Sequence, residues 1–327
     1  MEISNNSKFS VRLKQILRNN SALFAFIILF ILAIFIKGEQ FLNINNITNV
    51  LMNNSFIGII ALGMTLIIIT GNIDLAVGSQ LASAGLVTIL VMNTYNSIWL
   101  GVISGILIGI LTGYVSGFVV SKFMIPSFIV TLGTMQVYRS LSLYFFNGGG
   151  VMGTSEAAKS FVKISNTKLF EVIPMPIIYW ILISILMAYM MDNTRFGRHI
   201  YAVGSNERAT FLSSINVERV KIWVFALSGF LVSISAILEA SRLGSMNSSS
   251  SGRSYEMDAI AAVVIGGTAM SGGKGTVLGT VLGTLTLGII NNLMNLMGVN
   301  SFLVGAIKGL IIIGAVMLQR SVTGKEE

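Results

Sequence analysis

The 327-residue chain contains no cysteine and a single histidine. Without cysteine there is no thiol nucleophile, no disulfide and no cysteine-based zinc site. Charge is scarce as well. Asp, Glu, Lys and Arg make up 10% of the residues, against about 25% in soluble domains. Proline occurs at Pro126, Pro174 and Pro176 alone, each near the start of an apolar run, where it is tolerated. Catalytic signatures are missing too, with no HExxH and no G-x-S-x-G. The stretch GGTAMSGGKGT (266–276) has the look of a phosphate loop. That pattern, with its lysine at Lys274, needs Gly at 268 and Ser or Thr at 275. The chain has Thr268 and Gly275, so it is not expected to bind ATP itself. His199 stands alone in a basic loop and reads as structural or solvated. No metal site is expected.

What remains is apolar: 54% of the residues are hydrophobic. Residues 40–73, 75–121, 172–191, 222–238, 259–273 and 275–307 carry no Asp, Glu, Lys or Arg. A membrane span needs about 20 residues, so the longer runs each hold two. The pattern predicts an all-α membrane protein, a polytopic helical bundle of about ten transmembrane segments. These are 21–36, 48–70, 75–92, 97–120, 127–146, 173–191, 218–240, 256–270, 276–297 and 301–318. Several are short, and broken or re-entrant segments are expected where protein or a water-filled cavity covers them. Residues 21–320 read as one membrane domain between an N-terminal tail (1–20) and a C-terminal tail (321–327). The first apolar run reads as a span and not a cleaved leader, since Lys37 closes it without a small-residue cleavage pattern.

Cations set the orientation. With both termini cytoplasmic, thirteen lie inside: Lys8, Arg12, Lys14, Arg18, Lys122, Arg195, Arg198, Arg208, Arg219, Lys221, Lys274, Arg320 and Lys325. Six lie outside: Lys37, Lys159, Lys163, Lys168, Arg242 and Arg253. This bias explains the net charge of +8 better than nucleic-acid binding does.

The longest polar segment within the chain, 192–221, belongs to the cytoplasmic set. Its middle predicts a short helix. Ser205 or Asn206 caps the start, and Glu207 sits in the first turn, where the helix dipole favours an anion. Arg208, Phe211, Leu212 and Ile215 fall at i, i+3, i+4 and i+7 on one face. Asn216 is the expected left-handed stop. An apolar face held outside the membrane either docks in a partner's groove or lies on the protein's own spans.

Glycine is patterned as well. Gly101, Gly105, Gly109, Gly113 and Gly117 recur every four residues, which makes a smooth face for close helix contact. Gly275, Gly279 and Gly283 repeat the device. Arg139, Glu239, Asp258 and Lys308 lie within or near spans and are functional candidates by default. Asp74 is the only charge between Glu39 and Lys122. It is open to three readings: solvation by cytoplasmic water, capping of the following helix through Ala76 or Val77, or a place in a solute path.

Five stretches occur in order: GNIDLAVGS (71–79), IPSFIVTLGTM (125–135), TRFGRHIYAVGSNERATFL (194–212), DAIAAVVIGGTAMSGGKGTVLGT (258–280) and NNLMNLMGVNS (291–301). Together, over about 45–318, they resemble the permease subunit of ribose-type ABC importers. The resemblance implies a dimeric bundle of about ten helices in the bacterial cytoplasmic membrane. Its partners would be membrane lipid, a second permease copy, a cytoplasmic ATPase holding ATP and Mg, and an extracytoplasmic sugar-binding protein. It also implies that the coupling helix lies over Asn206–Ile215, with Asn206, Glu207, Arg208, Ala209, Phe211, Leu212 and Ile215 facing the ATPase. Departures stand at Asn72 and Ala76, where relatives usually have Gly and Ser, at Ser127 for a second proline, and at Ser214 for a helix-ending Gly. A sugar path wants hydroxyls and amides, so Asn72, Asp74, Thr131, Asn291 and Asn292 are its candidates. The asparagines serve equally well as glue between helices. The rival readings are an ion-coupled secondary transporter, a membrane-embedded enzyme, and the same importer carrying a nucleoside or a furanose signal molecule.

Overall fold

A computed structural model describes residues 21–323. The expected tail 1–20, with its four cations, and residues 324–327 lie outside the described residues. The described helices are α1 (Ser21–Leu42), α2 (Ile44–Ile69), α3 (Val77–Tyr95), α4 (Ile98–Lys122) and α5 (Ser127–Phe145). A cap of short elements follows, made of β1 (Gly150–Met152), α6 (Glu156–Phe161), α7 (Lys163–Asn166), β2 (Lys168–Leu169) and β3 (Ile173–Pro174). Then come α8 (Met175–Asn193), α9 (Arg195–Ser205), α10 (Glu207–Leu212), α11 (Val217–Leu243), β4 (Ser245–Asn247), α12 (Tyr255–Ile265), α13 (Val277–Leu296) and α14 (Ser301–Thr323). Strand β4 pairs antiparallel with β1, and β2 with β3.

A helix covers each predicted span, but among the described residues seven are long and apolar enough to cross a membrane: α1, α2, α3, α4, α8, α11 and α13. The other three fall short for different reasons. Helix α5 carries Thr131, Thr134, Gln136, Arg139, Ser140 and Ser142. In α14 the continuous apolar stretch among the described side chains is Phe302–Ile311. Helix α12 stops at Ile265 and not at the expected 270, because Gly266 and Gly267 follow and Gly267 takes a φ of 87°. Its 11 residues reach about 16 Å, half of a hydrocarbon layer of about 30 Å.

The centre is an antiparallel pair, α2 and α11. Gly63 approaches Ser228, and the Ser235 hydroxyl donates to the Phe56 carbonyl at 2.9 Å. The glycine ladder of α4 is shared between two partners. Gly101 and Gly105 meet α3 at Thr88, while Gly109, Gly113 and Gly117 meet α11 at Gly229, Phe225 and Ile222. Helix α13 repeats the arrangement. Gly279 and Gly283 meet α12 at Gly266 and Ala262, and further along Gly288 meets Asn54 of α2. The hydroxyls of Thr65 and Thr280 bond at 2.6 Å across the same α2–α13 contact. The segments α2–α5 and α11–α14 thus repeat one packing scheme with opposite chain direction. In each, a long helix is followed by a non-helical stretch (70–76 or 244–254) and a helix that begins inside the bundle.

The two interior starts touch. The Gly252 carbonyl lies 2.1 Å from where a Cβ on Gly78 would stand, and the Gly78 carbonyl 2.3 Å from a Cβ on Gly252. Only glycine fits at either position. Ser83 bonds Ser142 at 2.9 Å. Gly78 precedes Ser83 by five residues, about 7.5 Å of helix, so the crossing falls near the middle of α5.

Candidate functional site

Segment 192–221 is built from its caps. Thr194 accepts from the Gly197 amide at 3.2 Å and starts α9, a helix the sequence reading passed over. Its signal was present: Phe196, Ile200 and Val203 fall at i, i+4 and i+7, and Ile200 and Val203 are buried. Asn206 then accepts from the Ala209 amide at 2.9 Å and caps α10. Glu207 in its first turn bonds Lys221 of α11 at 2.7 Å.

Two expectations for this helix need correction. Helix α10 ends at Leu212, so Ile215 lies beyond it and turns inward against the bundle while Phe211 and Leu212 point out. The left-handed residue is Ser214, with φ 63°, and not Asn216. Asn216 is extended and caps the next helix, accepting from the Arg219 amide at 2.9 Å. The polar cap of α11 claims Asn216, so the reversal falls two residues earlier.

Phe211 and Leu212 are 69% and 75% exposed. Arg208 and Ala209 are exposed beside them. Phe211, Glu207, Arg208, Ser214 and Ile215 form one wall of an open groove of about 1170 Å³. The opposite wall is the α4–α5 connection, from Val120 to Phe128, and the floor includes Gly71 and Asn72. The connection also carries Phe123 at 63% and Met124 at 90% exposure. This end of the molecule therefore presents an apolar cleft with a charged edge.

The cleft is tied to the first break and to the loop 266–276 that follows α12. Gly204, at the end of α9, lies against the Ile69 carbonyl, so closely that a Cβ there would stand 1.7 Å from it. The Gly273 amide donates to the same carbonyl at 2.9 Å. The Tyr201 hydroxyl donates to the Gly275 carbonyl at 2.8 Å. Burial pushes the Tyr201 phenol up from its ordinary value, so it stays a donor. Three of the sequence stretches singled out above, 71–79, 194–212 and 258–280, thus meet at one junction.

Asp74 is fully buried in the first break. Its Oδ1 accepts from the Ala76 amide at 2.8 Å and its Oδ2 from Gln80 Nε2 at 3.3 Å. The capping position itself belongs to Ala76, and α3 starts at Val77, two residues later than expected. Thr131 is also fully buried, donating to Ser127 at 2.8 Å and to the Ile73 carbonyl at 3.3 Å. Asn72 is 7% exposed and donates to Thr70. These three candidates gather at the first break. Asn291 and Asn292 do not join them. Asn292 and Asn46 exchange amide hydrogen bonds at 2.7 and 3.1 Å, which joins α13 to α2 in the manner of interhelical glue. Asn291 sits beside it on α13 with its Oδ1 buried and without a partner.

Replacing Asp74 separates capping from charge. In Asp74→Asn, Oδ1 still accepts from Ala76, and the Gln80 amide needs only to rotate. In Asp74→Ala two buried donors are stranded, at roughly 1–3 kcal/mol each. Transport assays are expected to show Asn retaining most activity and Ala losing it. Equal loss in both, with the complex intact, would show that the charge itself is required.

Comparison with known proteins bears on what this arrangement does. The family model described as "Branched-chain amino acid transport system / permease component" matches residues 46–318. The ribose import permease protein of Bacillus subtilis (strain 168) is 42% identical over 300 residues, covering 90% of this chain and 91% of the relative. The ribose import permease protein of Escherichia coli (strain K12) is 40% identical over 282 residues, 85% of this chain and 87% of its own length. The L-arabinose transport system permease protein of the same strain is 37% identical over 299 residues, 91% of this chain and 89% of the relative. No solved structure matches the chain.

Proposed function

The chain belongs to this family of transport-system permease components, and we propose that it is the membrane subunit of an ATP-driven importer of a monosaccharide, ribose or a similar sugar. It is a multi-pass protein of the cytoplasmic membrane. In this reading both termini face the cytoplasm and segment 192–221 is the coupling loop. ATP and Mg are bound by a separate cytoplasmic ATPase, and an extracytoplasmic sugar-binding protein delivers the solute. The chain converts motion into access and carries no ATPase site of its own.

The observation that carries the reading is the cleft beside Phe211 and its tie, through Gly204 and Tyr201, to Ile69 and Gly275. A partner closing on α10 would move the first break and the loop after α12 together. A second copy completes the path between the two. In support, α14 leans on α12 through Lys308 and Asp258, and Gly305 and Gly309, one turn apart on one face, meet open space. Such a smooth surface suits a closely packed helix.

An ion-coupled carrier would need acids free to relay a charge. Asp74 is engaged by Ala76 and Gln80, and Asp258 by Lys308. Among the described residues Glu239 Oε2 has no partner and Glu256 no ion pair, so it is the family match that weighs against a carrier. Ribose is a pentose handled by two of the named relatives, which favours it over a nucleoside or a furanose signal molecule.

The test is ATP hydrolysis by the complex of this chain with its ATPase. Binding protein loaded with ribose or a related pentose is expected to stimulate it. Saturable ATP binding by the permease alone, or no stimulation by any loaded sugar, would count against the proposal.

A further inference from the structure

Charged and amide groups stand open where the two interior helix starts cross. On α5, Gln136 is exposed and Arg139 half-buried; on the 244–254 segment Ser249 and Arg253 are exposed; on α12 Glu256 is half-buried. Arg139 fixes the crossing. Its Nη1 donates to the carbonyls of Ser248 at 2.8 Å and Ser251 at 3.0 Å, and its Nη2 to that of Gly78 at 3.4 Å. Glu256 reaches the same place from the other side. Its Oε2 lies 2.9 Å from where a Cβ on Gly78 would stand. The two charges act on one another, yet among the described residues they form no ion pair.

This surface lies level with the middle of α5, deep along the length of the bundle. Lipid is a poor neighbour for a guanidinium and a carboxylate at that depth, and such groups face a bundle interior or water. The remaining hydrogens of Arg139, on Nε and Nη2, take no part in the three bonds above. A guanidinium and a carboxylate held apart offer a donor and an acceptor to adjacent hydroxyls. With Lys308 and Asp258 paired at 2.9 Å alongside, the wall carries charges of both signs and sets up no strong field for a single ion.

We infer that Gln136, Arg139, Ser249, Arg253 and Glu256 form the wall of a water-filled path that contacts a neutral polyhydroxyl solute as it passes the crossing. The contact is hydroxyl-directed, with Glu256 accepting from the solute and Arg139 donating to it. This moves the solute contacts from the buried Asp74 and Thr131 to the open side of the same break. It rests on the importer reading for its solute, though not for the presence of water.

The absence of cysteine makes the test clean, since an introduced thiol is the only one in the chain. Gln136→Cys and Ser249→Cys are made in the full complex with its ATPase, in native membranes, beside Leu107→Cys on the outward side of α4, where Leu107 is 60% exposed. A membrane-impermeant methanethiosulfonate reacts with thiolate, which forms only where water reaches. Both path thiols are expected to label at least about tenfold faster than Cys at 107. Labelling as slow as at 107 would overturn the wall. Separately, Glu256→Gln removes a charged acceptor and is expected to lower ribose uptake per assembled complex by about tenfold. Parental uptake by that variant would overturn the solute contact. Fast labelling of both path thiols, with no ATP-driven ribose uptake by the parental complex, would sink the sugar assignment and leave the water-filled wall standing.

Discussion

Gly109→Leu is expected to cost roughly 3 kcal/mol or more, because added atoms here meet backbone and not a yielding side chain. The first added carbon alone would stand 2.4 Å from the Gly229 carbonyl and 2.5 Å from Ser233 Cβ. Gly229 reciprocates, with a Cβ there 2.1 Å from the Gly109 carbonyl. Neither helix can yield without losing the rest of the ladder, since Gly113 and Gly117 hold α11 as closely. Helix α11 in turn holds α2, so the damage reaches the centre of the bundle. Thermal denaturation in detergent should show a large loss for Gly109→Leu. Leu107→Ala, two residues along on the open side of the same helix, should change stability by about 0.5 kcal/mol or less. Equal stability of the two variants would place the ladder against lipid.

The second large effect is expected at α10, which the proposed function makes the coupling helix. Phe211→Asp with Leu212→Asp changes two side chains that are 69% and 75% exposed. The fold of this chain should therefore persist, and the protein should still accumulate in the membrane. Binding of the ATPase should fall by more than about a hundredfold, as when buried aromatic and aliphatic anchors are lost from an interface. Co-purification with a full complement of ATPase would refute the assignment of this surface. The Glu207–Lys221 pair sits at the exposed edge and is expected to matter far less, within about 1 kcal/mol.

Much of the bundle is legible in the gaps between charges. Spans two to seven fall within a few residues of their helices because Lys37, Lys122, Asp192 and Arg242 bracket them or leave room for glycine and asparagine turns. The glycine ladder also reads correctly as a contact face. Its division between α3 and α11 does not, since a smooth face carries no mark of its partner. The end of α12 was obscured by the lack of any charge between Asp258 and Lys274, although Gly266–Gly267 is a stop signal in itself. Asn216 misled because asparagine serves both as a left-handed stop and as an N-cap, and here the apolar run from Val217 decides for the cap. Arg139 could not be partnered from sequence. Its acceptors are carbonyls of Gly78, Ser248 and Ser251, and a carbonyl leaves no residue signature.

The interior starts at Gly78 and Gly252 are the feature least visible beforehand. Each glycine reads singly as a turn, Gly78 within GNIDLAVGS and Gly252 in the Ser-rich stretch before α12. Their meeting depends on two segments separated by more than 170 residues, and on the opposite chain direction of the two halves. The path candidates Asp74 and Thr131 are both fully buried beside the first break.

The central claim is that ATP hydrolysed by another chain drives solute past this crossing. Membrane vesicles holding this permease, its ATPase and its binding protein would measure it most directly, with ribose uptake followed under two energy sources. The account predicts uptake with ATP on the ATPase side, none when the nucleotide-binding chain is omitted, and no dependence on an imposed proton or sodium gradient. Uptake driven by a gradient without ATP, in vesicles lacking the nucleotide-binding chain, would contradict it.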